Sequence, residues 1–213
     1  MSFLRRFYSS SIGRKFFVAT AGILLCGFLV LHLLGNLLIF KGTDVFNHYA
    51  SALDSNPLIP YAEIILAGLF LLHILIALWV RYENNKARPV GYAQYSSKGG
   101  RTWGSRTMTW TAFIVLAFLI VHLKSIRFGD KSQGIYHLVV SNLQNPYYAV
   151  FYIISMLALM LHLSHGFQSA FQSVGVNHPQ YTPSIKNLSR IFAVVICLGF
   201  ASIPLWVMLG LLK

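Results

Sequence analysis

Five long stretches of apolar residues constrain the fold of this 213-residue sequence more than any other feature. A helix that crosses the hydrocarbon core of a membrane needs about 20 apolar residues, because its backbone groups must be hydrogen-bonded within the helix. Glu63, near the start of the second stretch, is the one charged residue inside them. The stretches cover residues 16–40, 58–80, 107–123, 146–172 and 191–212. The sequence therefore predicts an all-α fold, an integral membrane bundle of five transmembrane helices that forms a single membrane domain over residues 1–213.

The composition agrees with a membrane protein and argues against two other classes. Hydrophobic residues make up 56% of the chain and charged residues 10%, whereas a soluble domain has about 25% charged residues. The net charge of +12 could suggest nucleic-acid binding. However, the basic residues lie between the apolar stretches and form no continuous basic surface. We therefore expect membrane lipid, and not nucleic acid, as the surroundings of this chain.

The basic residues are distributed unevenly between the two sides of the predicted membrane. One side has Arg5, Arg6, Arg14, Lys15, Arg81, Lys86, Arg88, Lys98, Arg101, Arg106, Lys186 and Arg190, and the other has Lys41, Lys124, Arg127, Lys131 and Lys213. Loops rich in lysine and arginine remain in the cytoplasm. The sequence therefore predicts a cytoplasmic N-terminus and a C-terminus on the outer side.

One histidine lies deep within each of the first four stretches, and the four fall at two depths. His32 follows Phe16 by 16 residues and His122 follows Arg106 by 16 residues, so both lie roughly 24 Å from the cytoplasmic ends of their helices. His73 and His162 lie roughly 12 Å from the cytoplasmic ends of two helices that run in the opposite direction. We call His32 and His122 the outer pair, and His73 and His162 the inner pair.

Two levels with two imidazoles each are what two bis-histidine haem sites require, because haem iron takes one axial ligand on each face. A zinc site would bring its ligands together at one level, and a proton relay would place carboxylates among the histidines. The sequence therefore predicts two haem groups, one ligated by His32 and His122 and the other by His73 and His162. For any one of these histidines, a hydrogen bond to a neighbouring helix is the alternative.

His165 is the rival of His162, since three residues along a helix keep it on nearly the same face. Its predicted depth agrees less well with that of His73. We therefore expect His162 to be the ligand and His165 to hydrogen-bond a haem propionate or a backbone carbonyl. Further propionate candidates are Arg14, Ser105 and Arg106 at the cytoplasmic boundary and Lys124 at the outer one, for which snorkelling to the membrane surface is the alternative.

Several segments resemble the single-subunit, five-helix, di-haem cytochrome b anchors of succinate dehydrogenases and quinol:fumarate reductases. They include SSIGRKFFVATAG followed by LVLHLLGN, VFNHYASAL in the first loop, EIILAGLFLLH, RTMTWTAFIVLAFLIVHL and LHLSHGFQSAFQSVG. The family places its fourth ligand four residues before a glycine, here His162 before Gly166. The resemblance extends over nearly the whole chain.

The resemblance implies an enzyme complex in a bacterial inner membrane, with this chain as its multi-pass, quinone-reactive subunit. A flavoprotein with the dicarboxylate site and an iron–sulfur protein would bind on the cytoplasmic side. This chain would hold two haem b groups and no dicarboxylate site, and it would pass electrons between the iron–sulfur subunit and menaquinone. Quinone-site candidates are Asp54 and Glu63, since quinone reduction consumes protons that an outer carboxylate can supply. Asn36, in the matching segment LVLHLLGN, is a third candidate.

Three alternative functions remain open from the sequence. An anchor that has lost haem and only tethers its partners is disfavoured because all four candidate ligands are present, and the other two alternatives are as follows. One is a di-haem cytochrome b of another quinone-linked dehydrogenase, although such proteins usually distribute their histidines differently. The other is a haem-free transporter with a histidine proton relay, which the lack of carboxylates in the interiors of the stretches disfavours. Both physiological directions, succinate oxidation and fumarate reduction, are compatible with the same anchor.

Overall fold

A computed structural model describes residues 5–7, 10–87 and 103–212. Three of the basic residues used to predict the cytoplasmic side, Arg88, Lys98 and Arg101, lie outside the described residues, and so does Lys213. The predicted domain of residues 1–213 therefore includes segments about which the structure says nothing.

The described residues are almost entirely helical and contain no strand. The helices are α1 (Ser11–Asn36), α2 (Thr43–Asp54), α3 (Ile59–Lys86), α4 (Trp103–His122), α5 (Ile135–Gln144), α6 (Pro146–Ser173) and α7 (Thr182–Met208). A 3-10 turn, Leu37–Lys41, extends α1, and a π-helical turn, Leu123–Arg127, extends α4. Helices α1, α3, α4, α6 and α7 are long and apolar enough to cross a membrane. The predicted all-α architecture with five transmembrane helices is confirmed.

The helices differ from the predicted apolar stretches mainly at their polar ends. The fifth stretch was predicted from residue 191, but α7 begins at Thr182 and includes Lys186 and Arg190. Helix α1 begins at Ser11, where the Ser10 hydroxyl accepts a hydrogen bond of 2.9 Å from the Gly13 N–H. Such a cap satisfies a free backbone donor and fixes where the helix starts. The helices extend beyond the apolar residues because capping and turn residues, not hydrophobicity, determine where they end.

Helix α6 lies at the centre of the bundle and packs against α1, α4 and α7. Helix α3 packs against α1, and none of its residues, all of which the structure describes, is buried. Neither α1 and α4 nor α3 and α6 are among the helix pairs that pack extensively. The bundle therefore contains two inter-helix gaps that backbone packing does not close.

The short helices α2 and α5 pack against each other at one end of the bundle. Asn47 of α2 accepts a hydrogen bond of 2.9 Å from the Tyr136 N–H of α5. Beside this bond, Gly134 has a φ of 88° and lies so close to Asn47 that a side chain would collide with it. We call this end the outer end and the opposite end the inner end, after the predicted orientation.

Candidate functional site

The four deep histidines come together in the two predicted pairs. The ring centroids of His32 and His122 are 6.0 Å apart, and those of His73 and His162 are 6.5 Å apart. The outer pair joins α1 to α4 and the inner pair joins α3 to α6, so each pair spans one of the two gaps. In the described part of the chain, no three His, Cys, Asp or Glu side chains meet as a possible metal site. The histidines of the described residues therefore meet in twos, from helices that are not among the pairs that pack extensively.

These separations fit an iron ion held between two imidazoles. A bond between a metal and an imidazole nitrogen is about 2 Å long, and the ring centre lies about 1 Å beyond that nitrogen. Imidazoles on opposite sides of one metal ion therefore have centroids about 6 Å apart. Because haem supplies the iron's other four ligands, two histidines are enough. Both pairs have this spacing, although their role as iron ligands stays a prediction.

In the inner pair, His73 is positioned by the backbone of α1. Its Nδ1 lies 3.1 Å from the Val18 carbonyl oxygen. A carbonyl only accepts hydrogen bonds, so His73 Nδ1 carries the proton and Nε2 keeps a free lone pair. Gly22 makes this approach possible, since a Cβ there would lie 3.3 Å from His73 Cε1. Metal-binding histidines are typically oriented by such a bond from the nitrogen that does not bind the metal.

The second member of the inner pair, His162, has a buried nitrogen with an unfilled hydrogen-bonding capacity. Its Nδ1 has no hydrogen-bond partner among the described residues. A buried polar atom without a partner is uncommon and indicates a functional role or a bound group. By contrast, His165 Nδ1 lies 3.3 Å from Gln168 Nε2. Of these two histidines, His162 is the one whose ring lies against that of His73.

The outer pair faces an apolar cavity. Phe28 stacks on His32 at 5.1 Å and Phe118 stacks on His122 at 5.4 Å. The cavity is lined by His32, Asn36, Phe118, His122, Ile126, Val139, Leu143, Tyr152, Met156, Leu159, Phe200, Ile203 and Pro204. Such walls suit the faces of a porphyrin and the edges that carry no propionate, which are apolar.

Tyr152 is a neighbour of the outer pair that the sequence did not indicate. The Tyr152 hydroxyl lies 3.2 Å from His122 Nδ1. Tyr152 is 30 residues away in sequence and lies in an aromatic-rich segment, so no spacing in the sequence indicates the contact. The quinone candidate Asn36 donates a hydrogen bond of 2.8 Å to the His32 carbonyl and lines the same cavity.

The other two quinone-site candidates lie at the outer end, in ion pairs. Glu63 accepts two hydrogen bonds, of 2.7 and 2.8 Å, from the Arg127 guanidinium. Asp54 lies 3.6 Å from Lys131. Both carboxylates are thus held by cations of the segment that follows α4.

Among the propionate candidates, Arg14 has a close protein partner. Its Nη1 lies 2.6 Å from Glu83 Oε1, and its guanidinium lies 5.0 Å from the centre of the Trp79 ring. The Arg106 guanidinium lies 5.9 Å from the centre of the Trp103 ring. Ser105 is half-buried near the start of α4, and Lys124 is exposed in the π-helical turn. Arg14 therefore ties α1 to α3 at the inner end.

Fold and site together define a helical membrane protein with two pairs of facing histidines. Its sequence matches the model of the succinate dehydrogenase/fumarate reductase transmembrane subunit family over residues 84–209. This match covers more than half of the chain, and the chain belongs to that family. The match contains His122 and His162, so each histidine pair has one member inside the matched region.

A similar protein extends the comparison to α1 and α3, the helices that carry His32 and His73. The chain is 26% identical to the succinate dehydrogenase cytochrome b558 subunit of Bacillus subtilis (strain 168) over 210 residues, which cover 96% of each chain. No solved structure matches the sequence. The resemblance found in the sequence is thus confirmed at the level of the family.

Proposed function

We propose that this chain is the membrane anchor and di-haem electron carrier of a succinate:menaquinone oxidoreductase. It passes electrons between an iron–sulfur subunit and a membrane quinone. The proposal rests on the two histidine pairs, whose ring centroids lie 6.0 and 6.5 Å apart. Each pair spans a gap between two helices that do not pack extensively against each other. Membership of the family and the name of the Bacillus relative agree with it.

In this proposal, His32 and His122 hold one haem b, and His73 and His162 hold the other. When bound, haem supplies one-electron redox chemistry. The chain's residues hold the ligands in place and exclude water: the Val18 carbonyl orients His73, and the Phe28 and Phe118 rings pack against His32 and His122. Two sites at successive depths would connect the inner end of the bundle with the outer end.

The partners follow from the family and from the distribution of charge. A succinate dehydrogenase needs a flavoprotein with the dicarboxylate site and an iron–sulfur protein, and we place both on the cytoplasmic side of a bacterial inner membrane. Twelve of the 17 lysine and arginine residues lie on the side predicted to be cytoplasmic, as the positive-inside rule expects. The inner histidine pair is then the one nearer the iron–sulfur subunit.

Menaquinone would react near the outer end. Its reduction takes up two protons with two electrons, so a titratable group near the site is useful. Among the carboxylates on the outer side, Glu63 and Asp54 are the candidates for this role, and Asn36 lies at the outer histidine pair. The propionate candidates remain Arg14, Ser105, Arg106, Lys124 and His165, and the Arg14 guanidinium already pairs with Glu83.

The proposal is tested by the haem content of the purified complex and of four alanine variants. The pyridine haemochrome assay should give two haem b groups per chain. His32→Ala and His122→Ala should each lose the same haem, whereas His73→Ala and His162→Ala should each lose the other, as seen in reduced-minus-oxidised spectra.

Two further histidines serve as controls. His165→Ala tests the rival ligand, and His48→Ala alters an exposed histidine of α2. Both should retain two haems. A wild-type complex without haem would refute the di-haem function, and haem loss in His165→Ala but not in His162→Ala would move the fourth ligand to His165.

A further inference from the structure

Three hydroxyl groups form a hydrogen-bonded chain that starts at His122. The Tyr152 hydroxyl lies 3.2 Å from His122 Nδ1 and 3.0 Å from the Tyr148 hydroxyl. The Tyr148 hydroxyl in turn is hydrogen-bonded to Ser125 Oγ. Ser125 Oγ lies 2.7 Å from the Val121 carbonyl oxygen. We call Tyr152, Tyr148 and Ser125 the hydroxyl chain; it runs from α4 to α6 and returns to α4 through the π-helical turn.

The carbonyl at its end fixes the direction of every bond in the hydroxyl chain. A carbonyl can only accept, so Ser125 uses its one proton to donate to Val121. Tyr148 must then donate to Ser125, and Tyr152 must donate to Tyr148. Tyr152 has no second proton for His122, so His122 Nδ1 must be the donor in the remaining contact.

This direction determines which nitrogen of His122 is free. With its proton on Nδ1, the neutral ring has an unprotonated Nε2, which is the form that binds a metal ion. The hydroxyl chain therefore selects this tautomer before any ligand binds. A π-helical turn adds one residue to a helical turn and is frequent at functional sites; here it includes Ser125, the residue that closes the chain.

Building on the proposed function, we propose that the hydroxyl chain is a positioning device that lowers the reduction potential of the outer haem. A hydrogen bond accepted from the Nδ1–H of a ligating histidine makes the opposite nitrogen a stronger donor. Stronger donation stabilises ferric iron more than ferrous iron, because ferric iron carries the higher charge. The inner pair has a different arrangement, since His73 donates to a backbone carbonyl that no side-chain substitution removes. Substitutions in the hydroxyl chain should therefore change the potential of the outer haem and leave that of the inner haem unchanged.

The test is Tyr152→Phe in the purified complex, with redox titration of both haems and EPR spectra of their ferric low-spin states. The substitution removes the acceptor for His122 Nδ1 and keeps the ring. The outer haem, identified as the one lost in His32→Ala, should titrate at a higher potential with a changed EPR signal. The inner haem should be unchanged, with two haems still bound per chain.

Two further variants and a control make the test specific. Ser125→Ala leaves both tyrosine rings in place and removes the hydroxyl that fixes the direction of the hydrogen bonds. It should therefore raise the reduction potential of the outer haem as well, but by less than Tyr152→Phe. Tyr148→Phe should give an intermediate shift. Tyr147→Phe is the control, since this side chain on the same helix is 86% exposed.

The outcomes separate this inference from the proposed function. If His122→Ala loses the outer haem but Tyr152→Phe and Ser125→Ala leave its potential and EPR signal unchanged, the inference is wrong and the proposed function stands. If His122→Ala retains both haems, the ligand assignment fails. If Tyr152→Phe fails to assemble, Ser125→Ala decides: a shift confined to the outer haem supports the inference and no shift overturns it.

Discussion

The inner and outer histidine pairs have similar spacing but are held by different parts of the chain. In the inner pair, His73 donates to a backbone carbonyl, and a glycine on the neighbouring helix gives its ring room. In the outer pair, His122 donates to a side-chain hydroxyl that is the first of three. One site is thus determined mainly by backbone geometry and the other by replaceable side chains.

Because of this difference, substitutions should disturb the two histidine pairs in different ways. A ligand held by the backbone is disturbed by steric changes or by movement of a helix, and such changes remove the site. A ligand held by hydroxyl groups can be altered gradually, because each hydroxyl can be lost while the ring remains. We therefore expect large effects from packing changes at the inner level and graded ones at the outer level.

The largest effect should follow Gly22→Val. A Cβ at this position would already lie 3.3 Å from His73 Cε1, and the two methyl groups of valine need more room. Because a crowded side chain forces its neighbours to move, the His73 ring should be displaced. We expect the inner haem to be lost and the outer haem to be retained, as measured by haem content and difference spectra.

The control for this prediction is Leu24→Val, a substitution on the same helix at a residue that is 53% exposed. It should retain both haems. If Gly22→Val loses both haems or retains both, the prediction that Gly22 affects only the inner haem is wrong.

The ion pair at the inner end should contribute the next largest effect. Arg14 and Glu83 lie 2.6 Å apart with side chains 12% and 39% exposed, and they join α3 to α1. A partly buried, charge-assisted hydrogen bond of this kind contributes about 1.5 kcal/mol. A double-mutant cycle of Arg14→Ala and Glu83→Ala, followed by thermal loss of the inner haem in detergent, should give a coupling of that size. Additive single effects would show that the pair does not hold the two helices together.

Ser189→Ala should destabilise the bundle by about 1 kcal/mol. This serine of α7 is fully buried, and its hydroxyl donates a hydrogen bond of 2.8 Å to the Ser164 carbonyl, close to His162 along α6. Thermal unfolding should therefore occur at a lower temperature, with the inner haem affected first. Ser141→Ala, at an exposed serine of α5, is the matched control and should change nothing measurable.

The smallest effect should come from the ion pair at the outer end. Glu63 and Arg127 have ideal two-point geometry, but their side chains are 42% and 44% exposed. An exposed pair contributes about 0.5 kcal/mol, and salt weakens it. A double-mutant cycle should give this small coupling at low salt and less at high salt. A coupling free energy larger than that between Arg14 and Glu83 would contradict the expectation that the ion pair at the inner end is the stronger one.

The sequence predicted much of the architecture because membrane insertion leaves a strong signal. A transmembrane helix must be long, apolar and nearly free of charge, so five such helices could be identified from composition alone. The pairing of the histidines could be predicted from depth, since the rise per residue of a helix is constant. His32, His73, His122 and His162 meet in the expected pairs for this reason.

What could not be predicted depends on contacts that leave no pattern in one sequence. The Val18 carbonyl that orients His73 is a backbone atom, and every residue has one. The pairing of Arg14 with Glu83 joins residues 69 positions apart. The hydroxyl chain needs the π-helical turn to bring Ser125 near Tyr148, and no residue type marks such a turn. Helix rotation and local distortion thus determine which residues surround the histidine pairs.

Helix α3 also has a consequence for how the membrane protein is assembled. It carries His73 and buries none of its residues, and apart from its packing against α1 it is joined to the segment after α4 by the exposed ion pair between Glu63 and Arg127. A haem held by His73 and His162 would form a cross-link between α3 and the central helix α6. In the proposed protein, the supply of haem to the membrane would then limit when the helical bundle is completed, and chains made without haem would expose α3 to proteolysis.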